Sequence, residues 1–141
     1  DENMLVIHDG GSLTNIGGVV VGQVSSGNSV VVTNGSYVEV WADTVIGAED
    51  SAVDNSLLVG GSNTVWYNDG SLTIGAAGNS GNSLTVTNGA LFYVGDDLEI
   101  LGAKNVLNLD RGGYFVIDGV FDASIEGFNF NEGGQLGVGG I

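Results

Sequence analysis

The sequence predicts an all-β protein, a single-stranded parallel β-helix (β-solenoid) that winds through roughly six coils of about 24 residues each. Two octets, NSVVVTNG at 28–35 and NSLTVTNG at 82–89, are nearly the same. Apolar residues alternate with polar or small ones along short segments, which is typical of half-buried strands. A helix is not predicted, because no 3.6-residue apolar periodicity is present and glycine, with 26 residues, interrupts every window.

An eight-residue frame that begins with Asn, or a similar residue, and ends with Gly recurs along the chain. When the first residue is counted as position 0, positions 2 and 4 are apolar in every copy, so we expect them to point into the core. The first residues are expected to stack at a corner, Asn over Asn, and the glycines to form turns. The copies are Asn3–Gly10, Asn28–Gly35, Asn63–Gly70, Asn82–Gly89, Asn105–Gly112 and the degenerate Glu126–Gly133.

Each frame is followed by more alternation, which predicts a second strand and, in several copies, a third. The second-strand pairs are Leu13/Asn15, Val38/Val40, Leu72/Ile74, Phe92/Val94, Phe115/Ile117 and Leu136/Val138. The third-strand pairs are Val19/Val21, Leu57/Val59 and Leu98/Ile100. Successive frames begin 25, 35, 19, 23 and 21 residues apart, and the longest interval predicts a protruding loop around 44–54.

The alternative fold is a β-sandwich, because Asn-Gly and Asp-Gly dipeptides also close antiparallel hairpins. Two features favour the solenoid: the number of strands per repeat is often odd, and the same classes of side chain recur at the same positions. Stacked coils place like residues over like, whereas a hairpin meander gains nothing from this recurrence. Residues 1–141 are therefore predicted to form one solenoid domain, either a segment of a longer array or a subunit that stacks on its copies.

The chain is strongly acidic, with 17 Asp and Glu against 2 Lys and Arg and a net charge of −15. This balance argues against binding to nucleic acid or to anionic membranes, since both need Lys and Arg to neutralise phosphate. The apolar runs, such as Val19–Val21, are far too short to span a bilayer, so no membrane insertion is expected. The absence of cysteine removes disulfides and thiolate chemistry.

The motif NSLTVTNG…LFYVGDDLEILG, at 82–102, resembles the repeats of autotransporter-type passenger domains and related bacterial surface proteins. Those families carry arrays written roughly N-S-L-x-V-x-N-G-G-x-L-x-V-G-x-x-L-x-I-G. The resemblance implies a right-handed parallel β-helix, secretion from a bacterium, and a role at the cell surface or in a matrix. It does not specify an activity, because such passengers include adhesins, stalks and some enzymes.

No residue pattern predicts a catalytic or cofactor site. The only cations, Lys104 and Arg111, are expected to decorate turns and to pair with carboxylates such as Asp110. The sole histidine, His8, is expected to face solvent. Two acidic segments are weak calcium candidates, because loop oxygens are the ligands this ion prefers. Their residues are Asp96, Asp97, Glu99, Asp50 and Asp54.

Aromatic residues are expected mainly at outward positions, where they would form a sugar-binding strip or a contact with another chain. The alternative is ordinary covering of the coil by bulky side chains. The frame places Trp66 outward, between the inward residues Val65 and Tyr67. The candidate contact residues are Trp41, Trp66, Tyr37, Tyr93 and Tyr114.

The leading functional hypothesis is a non-enzymatic, extracellular structural protein: a solenoid stalk, an adhesin or a segment of a filament. Neither terminal coil shows a polar cap, so we expect the ends to pair with copies of the chain or with further coils of a longer chain. The first alternative is a subunit that polymerises end to end through these edges as a homo-oligomer. The second alternative is a β-helix that binds or cleaves glycans.

Overall fold

The computed structural model describes residues 1–122 and 125–139, and within these ranges the chain forms sixteen β-strands and no helix. The strands are short because a turn follows every three to five residues. They are β1 (Met4–Ile7), β2 (Ser12–Ile16), β3 (Val19–Val21), β4 (Ser29–Thr33), β5 (Tyr37–Val40), β6 (Thr44–Ile46), β7 (Ser56–Gly60), β8 (Val65–Asn68), β9 (Leu72–Ile74), β10 (Ser83–Thr87), β11 (Leu91–Val94), β12 (Leu98–Ile100), β13 (Val106–Leu109), β14 (Tyr114–Ile117), β15 (Phe128–Phe130) and β16 (Gln135–Val138).

Two six-stranded sheets run along the length of the molecule, a four-stranded third sheet spans the first four coils, and consecutive strands of the chain belong to different sheets. The first sheet has the order β1-β4-β7-β10-β13-β15, the second β2-β5-β8-β11-β14-β16 and the third β3-β6-β9-β12. All of the paired strands are parallel. The predicted parallel β-solenoid is therefore confirmed, and the sandwich alternative, which requires antiparallel hairpins, is wrong.

Residues in register form columns of like side chains along the interior. The column that runs from Val30 to Leu107 through the first sheet is buried throughout. In the second sheet, Trp66 stacks on Phe92 with ring centroids 5.7 Å apart, and Phe92 stacks on Phe115 at 5.6 Å. Because each interior coil covers the next, the apolar residues of both are removed from water, which is the main driving force for this fold.

A ladder of asparagines follows the corner before the first sheet, as the sequence predicts. Asn28 donates from its backbone N and its Nδ2 to Asn55 Oδ1, at 3.0 and 2.9 Å. Asn55 donates in the same way to Asn82 Oδ1, at 3.0 Å for both bonds. The pattern also joins Asn3 to Asn28 and Asn82 to Asn105. Since the last four of these residues are buried, the ladder satisfies polar groups that burial would otherwise leave unpaired.

Glycines in the left-handed conformation leave room for the ladder amides. Gly22 and Gly47 follow two strands of the third sheet and have φ angles of 79° and 75°. A Cβ atom on Gly22 would clash with the side chain of Asn55, and a Cβ atom on Gly47 would clash with that of Asn82. Each glycine thus allows both the sharp corner and the close approach of the next coil.

The Asn-Gly dipeptides form corners between the first and second sheets. Asn34 and Gly35 have φ angles of 56° and 76°, and Asn88 and Gly89 have φ angles of 52° and 77°. Gly112 has the same conformation in the fifth coil, with φ 76°. Two successive left-handed residues redirect the chain from one parallel sheet to the next, and Asn and Gly tolerate this conformation best.

The predicted third copy of the frame, Asn63–Gly70, is wrong. The third ladder residue is Asn55, so the intervals between ladder residues are 25, 27, 27 and 23 residues. Asn63, with φ 62°, lies in the turn after β7, and Gly70 lies in the turn between β8 and β9. The frame misses Asn55 because the turn at 61–64 is one residue longer than the turn at 88–90 and lacks an Asn-Gly dipeptide.

The correct register reverses the two faces of β8, because side chains alternate along a strand. Trp66, predicted to point outward, is only 2% exposed and lies in the core. Val65 and Tyr67, predicted to point inward, lie on the outer face and are half-buried. A shift of one residue in the frame is thus enough to exchange core and surface.

The third sheet also differs from the prediction. Leu57 and Val59 belong to the first sheet, through β7, and the third sheet instead contains β6 and β9. The protruding loop expected around 44–54 is wrong, since Thr44–Ile46 is a strand and Ala52 is fully buried in the corner that follows. The apparent length of this repeat came from the missed ladder residue.

Two asparagines fall at or beside core positions of the second sheet, and the structure accommodates them differently. Asn15, predicted to point inward, is a bulge residue with φ 60°, and Ile16 takes the inward place opposite Val40. Asn68 stays fully buried in the same column, where its Oδ1 accepts a bond of 2.6 Å from Thr44 Oγ1. Its Nδ2 donates to two backbone carbonyls of the following turn, so every polar atom of this amide is bonded.

We expect Asn55→Ala to lower the free energy of unfolding by roughly 2–4 kcal/mol, because two donors of Asn28 lose their acceptor in a buried position. Asn129→Ala is the matched control, since it removes one exposed side-chain bond, 2.9 Å long, to Asn108 Oδ1. The control should change stability by less than about 0.5 kcal/mol. Urea denaturation followed by circular dichroism measures both changes, and equal effects would contradict the importance of the ladder.

We expect Gly47→Ala to destabilise the protein more than Gly35→Ala. Both glycines have left-handed φ angles, 75° and 76°, so both substitutions incur a backbone strain of about 1–2 kcal/mol. Only at Gly47 would the new Cβ also displace Asn82, whereas nothing lies within 4 Å at Gly35. The difference in melting temperature therefore isolates the packing of the ladder, and identical melting temperatures would show that the glycine only serves the turn.

Candidate functional site

Four tyrosines on the outer face of the second sheet form what we call the tyrosine strip: Tyr37, Tyr67, Tyr93 and Tyr114. Tyr67 and Tyr93 are direct partners on adjacent strands. Tyr37 and Tyr114 occupy the neighbouring row, with two aliphatic residues between them. The strip arises because the same alternate positions of β5, β8, β11 and β14 point away from the core.

The central pair of the strip is stacked along the solenoid axis. The rings of Tyr67 and Tyr93 have centroids 4.6 Å apart and an interplanar angle of 7°. This distance matches the spacing between neighbouring strands, so one face of each ring covers one face of the other. Tyr93 Oη donates a hydrogen bond of 2.5 Å to Asp118 Oδ2 in the next coil. The pair is therefore held by ring stacking on one side and by the bond to Asp118 on the other.

Two tyrosines of the strip, Tyr93 and Tyr37, have a raised pKa. The hydrogen bond to Asp118 raises the pKa of Tyr93 well above its ordinary range, because it stabilises the protonated phenol. Partial burial, and then the negative charge of Glu39, raise the pKa of Tyr37. Both hydroxyls are thus hydrogen-bond donors at any pH near neutrality.

Four of the five aromatic residues predicted to form a surface contact do face outward, and one does not. Trp41 follows β5 and is 57% exposed, and Tyr37, Tyr93 and Tyr114 belong to the tyrosine strip. Trp66 is the exception, because the wrong frame inverted its strand. Its indole N–H, in the described part of the chain, has no hydrogen-bond partner. Binding of a partner by the exposed aromatics stays a prediction.

The calcium candidates lie at two different corners of the solenoid. Asp96, Asp97 and Glu99 are exposed around the start of β12. Asp50 Oδ1 accepts a bond of 3.0 Å from the backbone N of the next coil at 78, and Asp54 lies at the end of the same corner with φ 56°. Within residues 1–122 and 125–139, no group of three or more His, Cys, Asp and Glu side chains is arranged to hold a metal ion. Calcium binding stays a prediction.

The two cations decorate turns, as expected. Lys104 is exposed at a corner with φ 63°. Arg111 has φ 46°, and its Nε lies 3.3 Å from Glu132 Oε2 in the next coil. The carboxylate partner of Arg111 is therefore Glu132, one coil along, rather than the neighbouring Asp110.

His8 is exposed, as predicted, and contacts the carboxylate beside it. Its Nδ1 lies 2.8 Å from Asp9 Oδ2. Asn34 Nδ2 donates to the other oxygen, Asp9 Oδ1, at 3.1 Å. These two contacts, with that of His8 the larger, lower the pKa of Asp9. Asp9 is thus a carboxylate under all but strongly acidic conditions.

Core-facing side chains at the two ends of the stack are exposed. Leu5 of β1 and Leu13 of β2 are 48% and 39% exposed, although their counterparts one coil later are buried. At the other end, Phe130 of β15 is 51% exposed and Val138 of β16 is 52% exposed. We call the surface of β1 and β2 the N-terminal end face and the surface of β15 and β16 the C-terminal end face.

The sequence analysis missed two residues here: Tyr67 of the tyrosine strip, which it predicted to point inward, and Asp118, which it did not single out. The outward position of Tyr67 could have been predicted from the interval of 27 residues between Asn55 and Asn82, which equals the preceding interval between ladder residues. The contact of Asp118 is visible only in the fold, since this residue reaches Tyr93 across 25 residues of chain, or one coil.

We expect Asp118→Asn to lower the pKa of Tyr93 towards the ordinary tyrosine value, because the carboxylate that stabilises the protonated phenol is removed. In the unmodified protein, a raised folded-state pKa means that this hydrogen bond contributes stability below pH about 10 and loses it as pH rises through the folded pKa. Ultraviolet titration of the tyrosinate band measures the change. Asp96→Asn is the control, and an equal shift in both variants would contradict a specific bond.

Comparisons with protein-family models, with curated proteins and with solved structures find no match to this chain. Among the described residues there is no helix that is long and apolar enough to cross a membrane. The resemblance of the repeats to autotransporter-type passenger domains accordingly stays a prediction. What is established is the parallel β-solenoid itself.

Proposed function

We propose that this chain is a non-enzymatic structural element of the extracellular space, a segment of a solenoid stalk or filament. The observation that carries the proposal is the continuity of coil-to-coil bonding along the axis. The asparagine ladder passes without interruption from Asn3 through Asn105. Because the first five coils are joined by the same bonds, this part of the chain is suited to extension in one direction.

Each step along the axis combines three kinds of contact. Backbone bonds join the parallel strands, ladder amides join the corners, and buried side chains stack in columns. Trp66, Phe92 and Phe115 show the third kind, with nearly parallel rings at interplanar angles of 6° and 15°. Since these contacts occur in all three sheets, at a corner and in the interior, bending the axis must disturb at least one of them. This arrangement supports a stiff spacer.

The charge of the surface suits a spacer that must not associate sideways. With a net charge of −15, neighbouring solenoids repel one another over roughly one Debye length, about 8–10 Å at physiological ionic strength. In the first and second sheets, the open strand edges lie only at the two ends of the stack, at β1 and β15 and at β2 and β16. Lateral aggregation is disfavoured, and axial contact is the one that the fold provides.

Glycan binding is the weaker candidate. The tyrosine strip and its carboxylate Asp118 would supply hydrogen-bond donors and acceptors to a sugar. However, stacking against a sugar ring needs an open aromatic face, and one face of Tyr67 and one face of Tyr93 are covered by the other ring. We therefore place the structural function ahead of it.

We expect antibodies raised against the folded solenoid to label intact producing cells or the matrix around them. Labelling is compared between intact and permeabilised cells by immunogold electron microscopy, with a cytoplasmic enzyme as the control antigen. Signal outside intact cells is the expected result, because a stalk or filament acts beyond the envelope. Signal that appears only after permeabilisation would contradict the proposal.

A further inference from the structure

We propose that Tyr67 and Tyr93 are a site of oxidative cross-linking, at which a one-electron oxidant joins the two rings by a carbon–carbon bond while Asp118 accepts the phenolic proton of Tyr93. The product is a dityrosine that fastens two neighbouring coils covalently. The reactivity of this pair depends on the contacts around it and not on where the chain acts, so the site goes beyond the proposed structural function.

Only the central pair of the tyrosine strip meets ring to ring. Tyr67 and Tyr93 are direct partners on adjacent strands, with nearly parallel rings whose centroids are 4.6 Å apart. Tyr37 and Tyr114 lie three strands apart in the neighbouring row, which is about 14 Å at the usual strand spacing. Tyr114 also extends over the following coil, where a Cβ atom on Gly137 would lie 2.7 Å from its Oη. The central pair is therefore the one placed for a bond between rings.

Asp118 is the base that the geometry provides for the reaction. Tyr93 Oη donates a hydrogen bond of 2.5 Å to Asp118 Oδ2, which is short even for a hydroxyl bonded to a carboxylate. Because this bond raises the pKa of Tyr93, the phenol is protonated near neutral pH and must lose its proton when it loses an electron. The carboxylate already lies within the distance of direct proton transfer. Oxidation of Tyr93 thus needs no rearrangement of the chain to release the proton.

Negative charge on both sides of the pair favours removal of an electron. Glu39 lies opposite Tyr67 on the preceding strand, and Asp118 contacts Tyr93 from the following coil. An oxidised ring bears positive charge until its proton leaves, and nearby carboxylates lower the energy of that charge. The stacked ring has the same effect, since the face of an aromatic ring attracts a cation. The surroundings therefore make this pair easier to oxidise than an isolated tyrosine.

The balanced reaction removes two electrons and two protons from the pair. Each phenol loses one electron to the oxidant and its hydroxyl proton to a base, which is Asp118 for Tyr93 and water for Tyr67. The two phenoxyl radicals then form a bond between ring carbons next to the hydroxyl groups. The hydrogens on those two carbons move to the oxygens, so both phenols are restored. Two equivalents of a one-electron oxidant, such as the oxidised haem of a peroxidase, are reduced.

The test is oxidation of the dilute protein by photogenerated tris(bipyridine)ruthenium(III), a one-electron oxidant small enough to approach the strip. We expect dityrosine fluorescence and a monomer lighter by two hydrogen atoms, with peptide mapping by mass spectrometry placing the bond between Tyr67 and Tyr93. Tyr67→Phe and Tyr93→Phe should each abolish this product, since a phenylalanine ring cannot form a phenoxyl radical. Tyr114→Phe is the matched control, because it removes a tyrosine of the same strip outside the pair, and it should leave the yield unchanged.

The role of Asp118 is tested by its own variants. Asp118→Asn keeps an oxygen that accepts the hydrogen bond but is far too weak a base to take the proton, so the initial rate of cross-linking should fall about tenfold or more. Asp118→Glu restores a carboxylate and should react faster than Asp118→Asn. Asp96→Asn, which removes an exposed carboxylate in the turn after β11, is the control for net charge. Near-ultraviolet circular dichroism checks that each variant keeps the packing of its tyrosines.

The proposal is overturned if the oxidised monomer contains no dityrosine, or if peptide mapping places the bond between any other two tyrosines. It is also overturned if the product persists in Tyr93→Phe, or if Asp118→Asn reacts as fast as the unmodified chain. None of these outcomes depends on where the chain is located, so failure here is distinct from failure in the surface labelling experiment.

Discussion

The hydrogen bond from one asparagine to the asparagine of the next coil is the interaction on which the rest of this structure depends. It joins the backbone nitrogen and the side-chain amide of one coil to a single oxygen of the next, so it holds both the height and the rotation of each coil. Once Asn28, Asn55 and Asn82 are aligned, the strands that follow them are in register. The register of the strands then places aliphatic residues over aliphatic ones and aromatic residues over aromatic ones.

This constraint also decides what the surface can be. Because equivalent positions repeat in every coil, outward side chains form rows along the axis rather than isolated patches. The tyrosine strip and the turn position of Asp9, Asn34, Arg111 and Glu132 are two such rows. In the second row, Asn34 donates to Asp9 and Arg111 pairs with Glu132, each across one coil. A repetitive fold thus turns single substitutions into contacts between coils.

The sequence analysis succeeded where the repeat is written plainly and failed where one coil departs from it. Five copies of the frame have the predicted core positions, and the expected stacking of Asn over Asn is present. In the third coil, the four-residue turn at 61–64 replaces the three-residue turn that begins with Asn-Gly, so the predicted frame began at Asn63 instead of Asn55. The error inverted β8, so Trp66 was expected on the surface and Tyr67 in the core. The sequence did contain a clue, because a frame that starts at Asn55 gives intervals of 27 and 27 residues, whereas one that starts at Asn63 gives 35 and 19.

The sequence by itself determined the fold class, because alternation of apolar residues and periodic Asn and Gly are local properties that each coil carries separately. It also determined the acidic surface and the left-handed corners. Only the tertiary structure decided which residues meet across coils: Tyr93 with Asp118, Arg111 with Glu132, and Asn55 with its two ladder neighbours. The physical reason is that these contacts join residues more than twenty positions apart. Their pairing depends on the length of every turn between them, and one extra residue in a turn changes which side chains face each other.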